Sequence, residues 1–436
     1  MSLATFSRGI HPPDKKELSK GAALERALAP KTVVIPMGQH IGAPCKPLVA
    51  IGDEVKTGQM IGEPQGFVSA PVHATVSGKV VAIAEFANAM GRMVLSVVVQ
   101  SDGKDEWVPL QETPDYLNAD PAALKDKIKA AGVVGMGGAT FPTNVKLSPP
   151  KEKTIEYVII NGAECEPYLN ADYRLMMERP KDVVEGLRIL MRVLGVAKGY
   201  IGIENNKPDA IEIMRKAAEG TPVEILPCEV KYPQGAEKML IKAVTGREVP
   251  NRGGLPMDVG AVVQNVGTAV AIFEAVKLGK PLIERVVSVT GEGITTPRNL
   301  IVRIGTMVSE LIEQCGGFKG TPGKVISGGP MMGFAMFTLD MPVIKGTSGV
   351  LVMSEESVTH TDKYGPCIRC GRCIQACPMG LMPQMLSIYA EAGFYEEAKA
   401  YGLWDCFECG CCSYVCPAKR PVVQFVRLAK SQTKPG

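Results

Sequence analysis

Short apolar runs punctuated by Gly and Pro fill the first quarter of the chain. TVVIP (32–36) and MVLSVVV (93–99) have strand length and are bounded this way, so residues 1–112 read as β-rich. From 113 to 282 the period lengthens. Asp120 and Pro121 supply an N-cap and a first helical residue, for a helix ending near Gly132. A strand follows at 154–161, an amphipathic helix at 182–195, a strand at 198–204, a helix at 208–220 and a strand at 222–230, before helices at 235–246 and 265–279. Alternation of this kind predicts a mostly parallel sheet with helices on its faces. Residues 283–355 predict a smaller unit. Its strands are ERVVSVTG, NLIVRIG, KVISGG and GVLVMS, its helix lies at 306–317, and the pattern is compatible with a β-grasp. Residues 356–436 form a fourth, cysteine-rich segment.

Within the first unit, AIGDEVKTGQMIG (50–62) and SAPVHATVSGKVVAI (69–83) resemble the half-barrel repeats of biotinyl and lipoyl carrier domains. Those carriers display a Lys on the hairpin between the halves. The connecting segment here, EPQGFVS, has none, so the expectation is the half-barrel fold without carrier chemistry. The chain is thus expected to be multidomain α/β: a β half-barrel (barrel-sandwich hybrid), a Rossmann-like α/β domain, a β-grasp and a C-terminal α-helical cysteine domain.

Composition changes the picture in three ways. Hydrophobic residues make up 46% and charged residues 21%, ordinary for a chain with packed cores. The net charge of +3 is too small to argue for nucleic acid as a partner. No run of about 18 uncharged apolar residues occurs, so no membrane span is expected. The N-terminus, MSLATFSRGIHPPDKKE, lacks a signal-peptide core, and a cytoplasmic protein is expected.

Nine of the thirteen cysteines lie between Cys367 and Cys416. In a reducing compartment such density reads as metal binding, not disulfides. Cys367, Cys370, Cys373 and Cys377 precede Pro378; Cys406, Cys409, Cys412 and Cys416 precede Pro417. Two C-x₂-C-x₂-C-x₃-C-P runs are the pattern of two [4Fe–4S] clusters, in which the fourth Cys of each run ligates the other cluster. One set is then Cys367, Cys370, Cys373 and Cys416; the other is Cys406, Cys409, Cys412 and Cys377. Zinc ribbons use two separated C-x₂-C pairs instead. The segment between the runs has a helical pattern. Cys411 reads as a bystander, and Cys45, Cys165, Cys228 and Cys315 as small buried hydrophobes. Beyond Glu408 no acidic residue occurs, and Lys419, Arg420, Arg427, Lys430 and Lys434 read as a solvated basic tail.

A second constellation is GVVGMGGATFPTNVKL (132–147). Gly135, Gly137 and Gly138 allow backbone amides to approach a phosphate. It is not a dinucleotide fingerprint: Thr140 stands where a third glycine belongs, and a helix precedes the loop. Asn161, Glu164 and Glu166 follow a strand at its carboxyl end, where parallel sheets bind ligands. YPQGAEKML (232–240) and VVQNVGTAV (262–270) each begin a predicted helix. Four such loops converging point to a phosphate-bearing cofactor.

GMGGATFP, N-x-A-E-x-E-P, YPQGAEK and QNVGT closely resemble the flavin and NADH site of the flavoprotein subunit of respiratory complex I. With the opening SRGIHPP and the order of the four units, the whole chain resembles the RnfC family of the Rnf electron transport complexes. The resemblance implies that Gly135, Gly137, Gly138, Lys146, Asn161, Glu237, Asn265 and Thr268 hold FMN. Phe141 would stack near the nicotinamide nucleotide, with Glu164 and Glu166 contacting it. It further implies NAD(H) as substrate, the other subunits of a membrane-bound complex as partners, ferredoxin as a candidate partner, and a place on the cytoplasmic face of the membrane. The chain departs from the complex I pattern at Met136 (Arg there), Ala163 (Asp), Ala236 (Glu) and Gly267 (Glu). G-G-A-T also resembles the end of a flavin-transferase acceptor site. Such acceptors lie outside the cytoplasm, so the expectation is non-covalent FMN and not esterification at Thr140.

Overall fold

The computed structural model describes residues 3–358 and 364–435. The half-barrel is present. Thr32–Pro36, Met93–Ser101, Gly78–Ala87 and Glu54–Val55 form one antiparallel sheet, and Lys46–Pro47, Met60–Glu63 and Val72–His73 a second. Val33, Ile35, Ile61, Val72, Val97 and Val99 fill the space between them. Alternate residues of a strand share a face, which is why Val33 and Ile35, or Val97 and Val99, point together.

The central domain is built on four parallel strands: β1 (Tyr157–Gly162), β2 (Gly199–Glu204), β3 (Val223–Cys228) and β4 (Ala261–Asn265). Their order is β3-β2-β1-β4. The chain steps outward from β1 through β2 to β3, then returns across the sheet to place β4 on the other side of β1. The strand order therefore reverses between β1 and β4, and an open α/β sheet binds ligands at the carboxyl edge of such a reversal. Asn161 and Asn265 are register partners at that edge.

Two elements go beyond the sequence reading. Ahead of the second strand, α1 (Ala171–Glu178) and α2 (Pro180–Leu194) follow β1, and the first was not foreseen. Its N-terminal amides are capped from outside the helix by Glu164, which a local pattern does not reveal. Strand β4 merges into an apolar helix, α3 (Val266–Phe273), and periodicity cannot divide a continuous apolar run. The predicted helix 265–279 ends as regular α-helix at Phe273 and continues as one π-turn, Glu274–Leu278.

The β-grasp sheet has the order Leu24–Arg26, Arg298–Arg303, Glu284–Thr290, Gly349–Ser354, Pro322–Ser327 and Phe334–Ala335, with a helix at Val308–Gln314. Its first strand comes from the N-terminal segment. Residues 4–26 thus leave the half-barrel and run over the other domains: Ala4 bridges to Cys228, and Ile10 to Tyr232. A sequential boundary at 112 misses this. The cysteine domain is helical, with Pro383–Glu391, Tyr395–Ala400 and Val422–Gln432 packed around Leu386, Ala390, Leu403 and Val426. Its basic tail is solvated only in part: Lys419 and Lys434 are exposed as expected, but the other three cations are paired. Arg420 pairs with Glu391, and Arg427 and Lys430 both reach Glu408 at 2.8 Å. No helix among the described residues is long and apolar enough to cross a membrane.

Candidate functional site

The glycine-rich loop lies over the reversal point of the sheet. Its amides at Gly137, Gly138 and Ala139 are on exposed residues and donate to no backbone or side-chain acceptor of the described residues. Gly138 has φ +108°, open to glycine and strained for other residues. Consecutive unpartnered amides of this kind form a concavity for an anion. The loop is fixed from below. Met136 N donates to Thr268 Oγ1 at 2.8 Å, and that hydroxyl reaches Val134 O at 3.3 Å. Asn265 Oδ1 caps α3 by accepting from Gly267 N at 2.8 Å and Thr268 N at 3.3 Å, and its Nδ2 donates to Asp172 at 2.6 Å. Asn161 Nδ2 donates to Gly235 O at 2.7 Å. Lys146 holds Glu237 at 2.6 Å and the Val263 carbonyl at 3.0 Å. Phe141 is half-buried in the same loop.

Thus Asn161, Asn265 and Thr268 spend hydrogen bonds on bracing the crevice. Other side chains in the same loops have buried polar atoms with no partner: Thr143 Oγ1, Asn144 Oδ1, Gln264 Nε2 and both amide atoms of Gln234. Buried polar groups are nearly always satisfied, so these atoms, in the loops that meet at the carboxyl edge of the sheet, are candidates for bonds to a bound group. These residues fit a flavin phosphate and ring, and sequence reasoning passed over them although FPTN, YPQG and VVQN contain them. Two departures from the complex I pattern prove to be neighbours. A Cβ on residue 267 would stand 3.0 Å from Met136 Cε, so a side chain at 267 would need the flexible end of the methionine to give way.

The two carboxylates expected on the nucleotide are engaged elsewhere. Glu164 accepts from the amides of Asp172 (2.7 Å) and Tyr173 (3.2 Å) at the start of α1, with Lys16 Nζ 4.0 Å away. Glu166 accepts from Met331 N at 3.1 Å and Met332 N at 2.8 Å in the β-grasp. A Cβ on Gly329 would lie 2.2 Å from Glu166 Oε2, so that loop can close on the carboxylate only with glycine there. Burial pushes both carboxyls up to about 7. Each is a buried brace between segments, its oxygens turned to backbone amides and not to the nicotinamide nucleotide expected there.

The eight cysteines gather in two pockets. Cys367, Cys370, Cys373 and Cys416 line one, with Gln384 and Arg420; Cys377, Cys406, Cys409 and Cys412 line the other, with Leu386 and Val426. Each pocket takes three thiols from one run and the fourth from the other. Four thiols per pocket, one of them borrowed from the other run, are the donor set of two [4Fe–4S] clusters, whereas a zinc ribbon takes its thiols from two separated C-x₂-C pairs. Of the isolated cysteines, Cys45, Cys228 and Cys315 are buried as expected, whereas Cys165 Sγ accepts the Gly235 amide at 3.2 Å.

The second pocket adjoins the crevice. Tyr232, 2% exposed, donates from its hydroxyl to the Cys409 carbonyl at 2.8 Å, and Cys411 Sγ lies 3.9 Å from the Tyr232 carbonyl. The Tyr232 backbone is pinned to Ile10 by two bonds of 2.8 Å, and Arg8 reaches the carbonyls of Ile374 and Cys377 at 3.3 and 3.5 Å.

Comparisons with known proteins agree with this arrangement. Four family models match: a Nuo51 FMN-binding domain at residues 128–274, an RnfC barrel sandwich hybrid domain at 4–104, an SLBB domain at 286–335 and a 4Fe-4S dicluster domain at 360–417. The relatives are C subunits of ion-translocating complexes. The chain is 52% identical to that of the proton-translocating ferredoxin:NAD(+) oxidoreductase complex of Clostridium ljungdahlii, over 99% of this chain and 94% of that one. It is 49% identical to that of the Na(+)-translocating ferredoxin:NAD(+) oxidoreductase complex of Acetobacterium woodii, over 98% and 97%. To that of the ion-translocating oxidoreductase complex of Rhodobacter capsulatus it is 45% identical, over 99% and 84%.

Proposed function

We propose a function from one premise: the chain belongs to the RnfC family, the C subunits of the ion-translocating ferredoxin:NAD(+) oxidoreductase complexes. The protein is an NADH-oxidising, reversible electron-transfer subunit. Its partners are the other subunits of a membrane-bound complex that couples ferredoxin and NAD redox chemistry to ion transport, and it sits peripherally on the cytoplasmic face. Bound FMN supplies the exchange between a two-electron hydride and single electrons, and two [4Fe–4S] clusters supply one-electron storage.

The chain's own residues do the rest. The free amides at Gly137, Gly138 and Ala139 hold the flavin phosphate, with Gly135 setting the turn and Lys146, paired to Glu237, beside it. Thr143, Asn144, Gln234 and Gln264 offer the unpartnered atoms that fix the ring. Asn161, Asn265 and Thr268 keep the crevice in shape. Cys377, Cys406, Cys409 and Cys412 hold the cluster nearer the crevice; Cys367, Cys370, Cys373 and Cys416 hold the farther one.

The observation that carries this reading is the Tyr232 link, which joins the crevice loop 232–235 directly to a ligand of the nearer pocket. The test is anaerobic addition of NADH to protein purified with its clusters. The expected result is one acid-releasable FMN per chain, bleached by NADH, with reduced-cluster signals appearing afterwards. Protein with intact clusters and no flavin would instead be an electron conduit, and the reading would be wrong.

A further inference from the structure

The farther pocket differs from the nearer one in what surrounds it. Cys406, Cys409 and Cys412 are buried or half-buried beneath helices, but Cys370 is exposed. Beside it, Ile368 is 64% exposed, and Arg369 and Arg372 stand on the surface. Between Tyr364 and Pro378 the only charged side chains are these two arginines. Lys419 is exposed on the loop that closes the same pocket after Cys416 and Pro417. None of Arg369, Arg372 and Lys419 has a carboxylate partner among the described residues, whereas Arg420, Arg427 and Lys430, cations further along the same tail, are all paired internally. The paired cations are structural. The unpaired ones ring the thiol-lined pocket whose cysteine reaches solvent, with the exposed Ile368 among them. Apolar centre, cationic rim and enrichment in Arg are the anatomy of a protein–protein interface.

We propose that the surface formed by Ile368, Arg369, Arg372 and Lys419 around Cys370 is the docking face for an electron-transfer partner that presents carboxylates around its own redox centre. The proposal rests on the relay reading, since it takes the farther pocket as the exit. The cations steer the acidic face into register, and the exposed loop brings the partner's centre against Cys370. One electron then leaves the reduced chain and one acceptor centre is reduced, with no bond made or broken. Rim charges act mainly through encounter and are screened by salt.

The test uses two acceptors of opposite charge that are both too large to enter the flavin crevice: plastocyanin, which is acidic, and cytochrome c, which is basic. Holoprotein is reduced by dithionite and freed of excess, so the result does not depend on NADH. Copper(II) or haem iron(III) reduction is followed by stopped flow at low and high salt, and binding of the fully oxidised pairs by calorimetry. The expected result is faster reduction and tighter binding of plastocyanin at low salt, both lost at high salt. In the double variant Arg369→Glu, Arg372→Glu the plastocyanin rate should fall about tenfold and the cytochrome c rate rise. Iron content is measured on every variant. Lys419→Glu, outside the cysteine run, should move both rates the same way by about threefold even if the double variant fails to load its clusters. Equal preference for the two acceptors in the parent protein overturns the proposal. So does a variant whose cluster potential shifts while its acceptor preference stays, because the arginines would then serve only to offset cluster charge. If NADH fails to reduce the clusters while dithionite-reduced protein still prefers plastocyanin, the relay reading fails and the docking face stands.

Discussion

Replacing Glu166 by Gln tests whether this carboxylate is a buried brace. Its oxygens accept the Met331 and Met332 amides, and burial holds its carboxyl at about 7. In the unfolded chain a Glu titrates at about 4.3. The folded value is raised, so the folded state keeps the proton that the unfolded chain has already lost. That stabilisation is complete below about pH 4.3 and is lost as pH rises toward about 7. From the two values, the parent protein should lose about 2 kcal/mol between about pH 5.5 and pH 8 from this group. Gln carries no proton to lose. It also has one acceptor where the carboxylate has two, so one of the two amides loses its partner, at a cost of up to about 1 kcal/mol that is independent of pH. The offset and the slope are therefore separable. Melting temperatures of parent and variant, measured anaerobically at matched iron content, should converge or cross toward alkaline pH. The difference should move by roughly 4–8 °C in the variant's favour for a domain of this size. A difference that stays flat across that window means the carboxyl titrates in the usual carboxylate range, and the buried-brace account of Glu166 fails.

The other expectations are direct. The loaded protein should hold eight irons and eight labile sulfides, and Cys416→Ser should cost the cluster of Cys367, Cys370 and Cys373 while Cys377→Ser costs that of Cys406, Cys409 and Cys412. Iron analysis with EPR decides this, and Cys411→Ser should lose none. Gly138→Trp puts a bulky side chain at φ +108° in the amide concavity; it should abolish FMN binding with iron unaltered, and flavin retained at parental level would contradict the site. NADH should be oxidised in preference to NADPH, but Glu164→Gln should leave that ratio unchanged and lower stability by about 1 kcal/mol through loss of a helix cap, since its carboxylate faces the start of α1. A changed nucleotide ratio in steady-state kinetics would return Glu164 to the nucleotide.

The amino-acid sequence alone determined what is local. The cysteine spacing specifies two ligand sets because three thiols on one short loop and a fourth before proline are fixed by chain geometry. Helix and strand order follows from periodicity, and the glycine-rich loop announces its own backbone freedom. The tertiary structure decided everything that joins distant segments. Glu166 meets Met331 across 165 positions, and Tyr232 meets Cys409 across 177; no spacing rule encodes either. A carboxylate after a strand reads as a ligand contact in sequence, yet whether its oxygens face a crevice or another segment's amides depends on how domains close on one another. The same holds for charge. Arg420, Arg427 and Lys430 look like Lys419 on paper, and only the positions of Glu391 and Glu408 take three of the four out of the surface field. Strand β4 and helix α1 were missed for a related reason. The first is told from its neighbour only by its pairing with β1, and the second is completed by a cap that lies outside it.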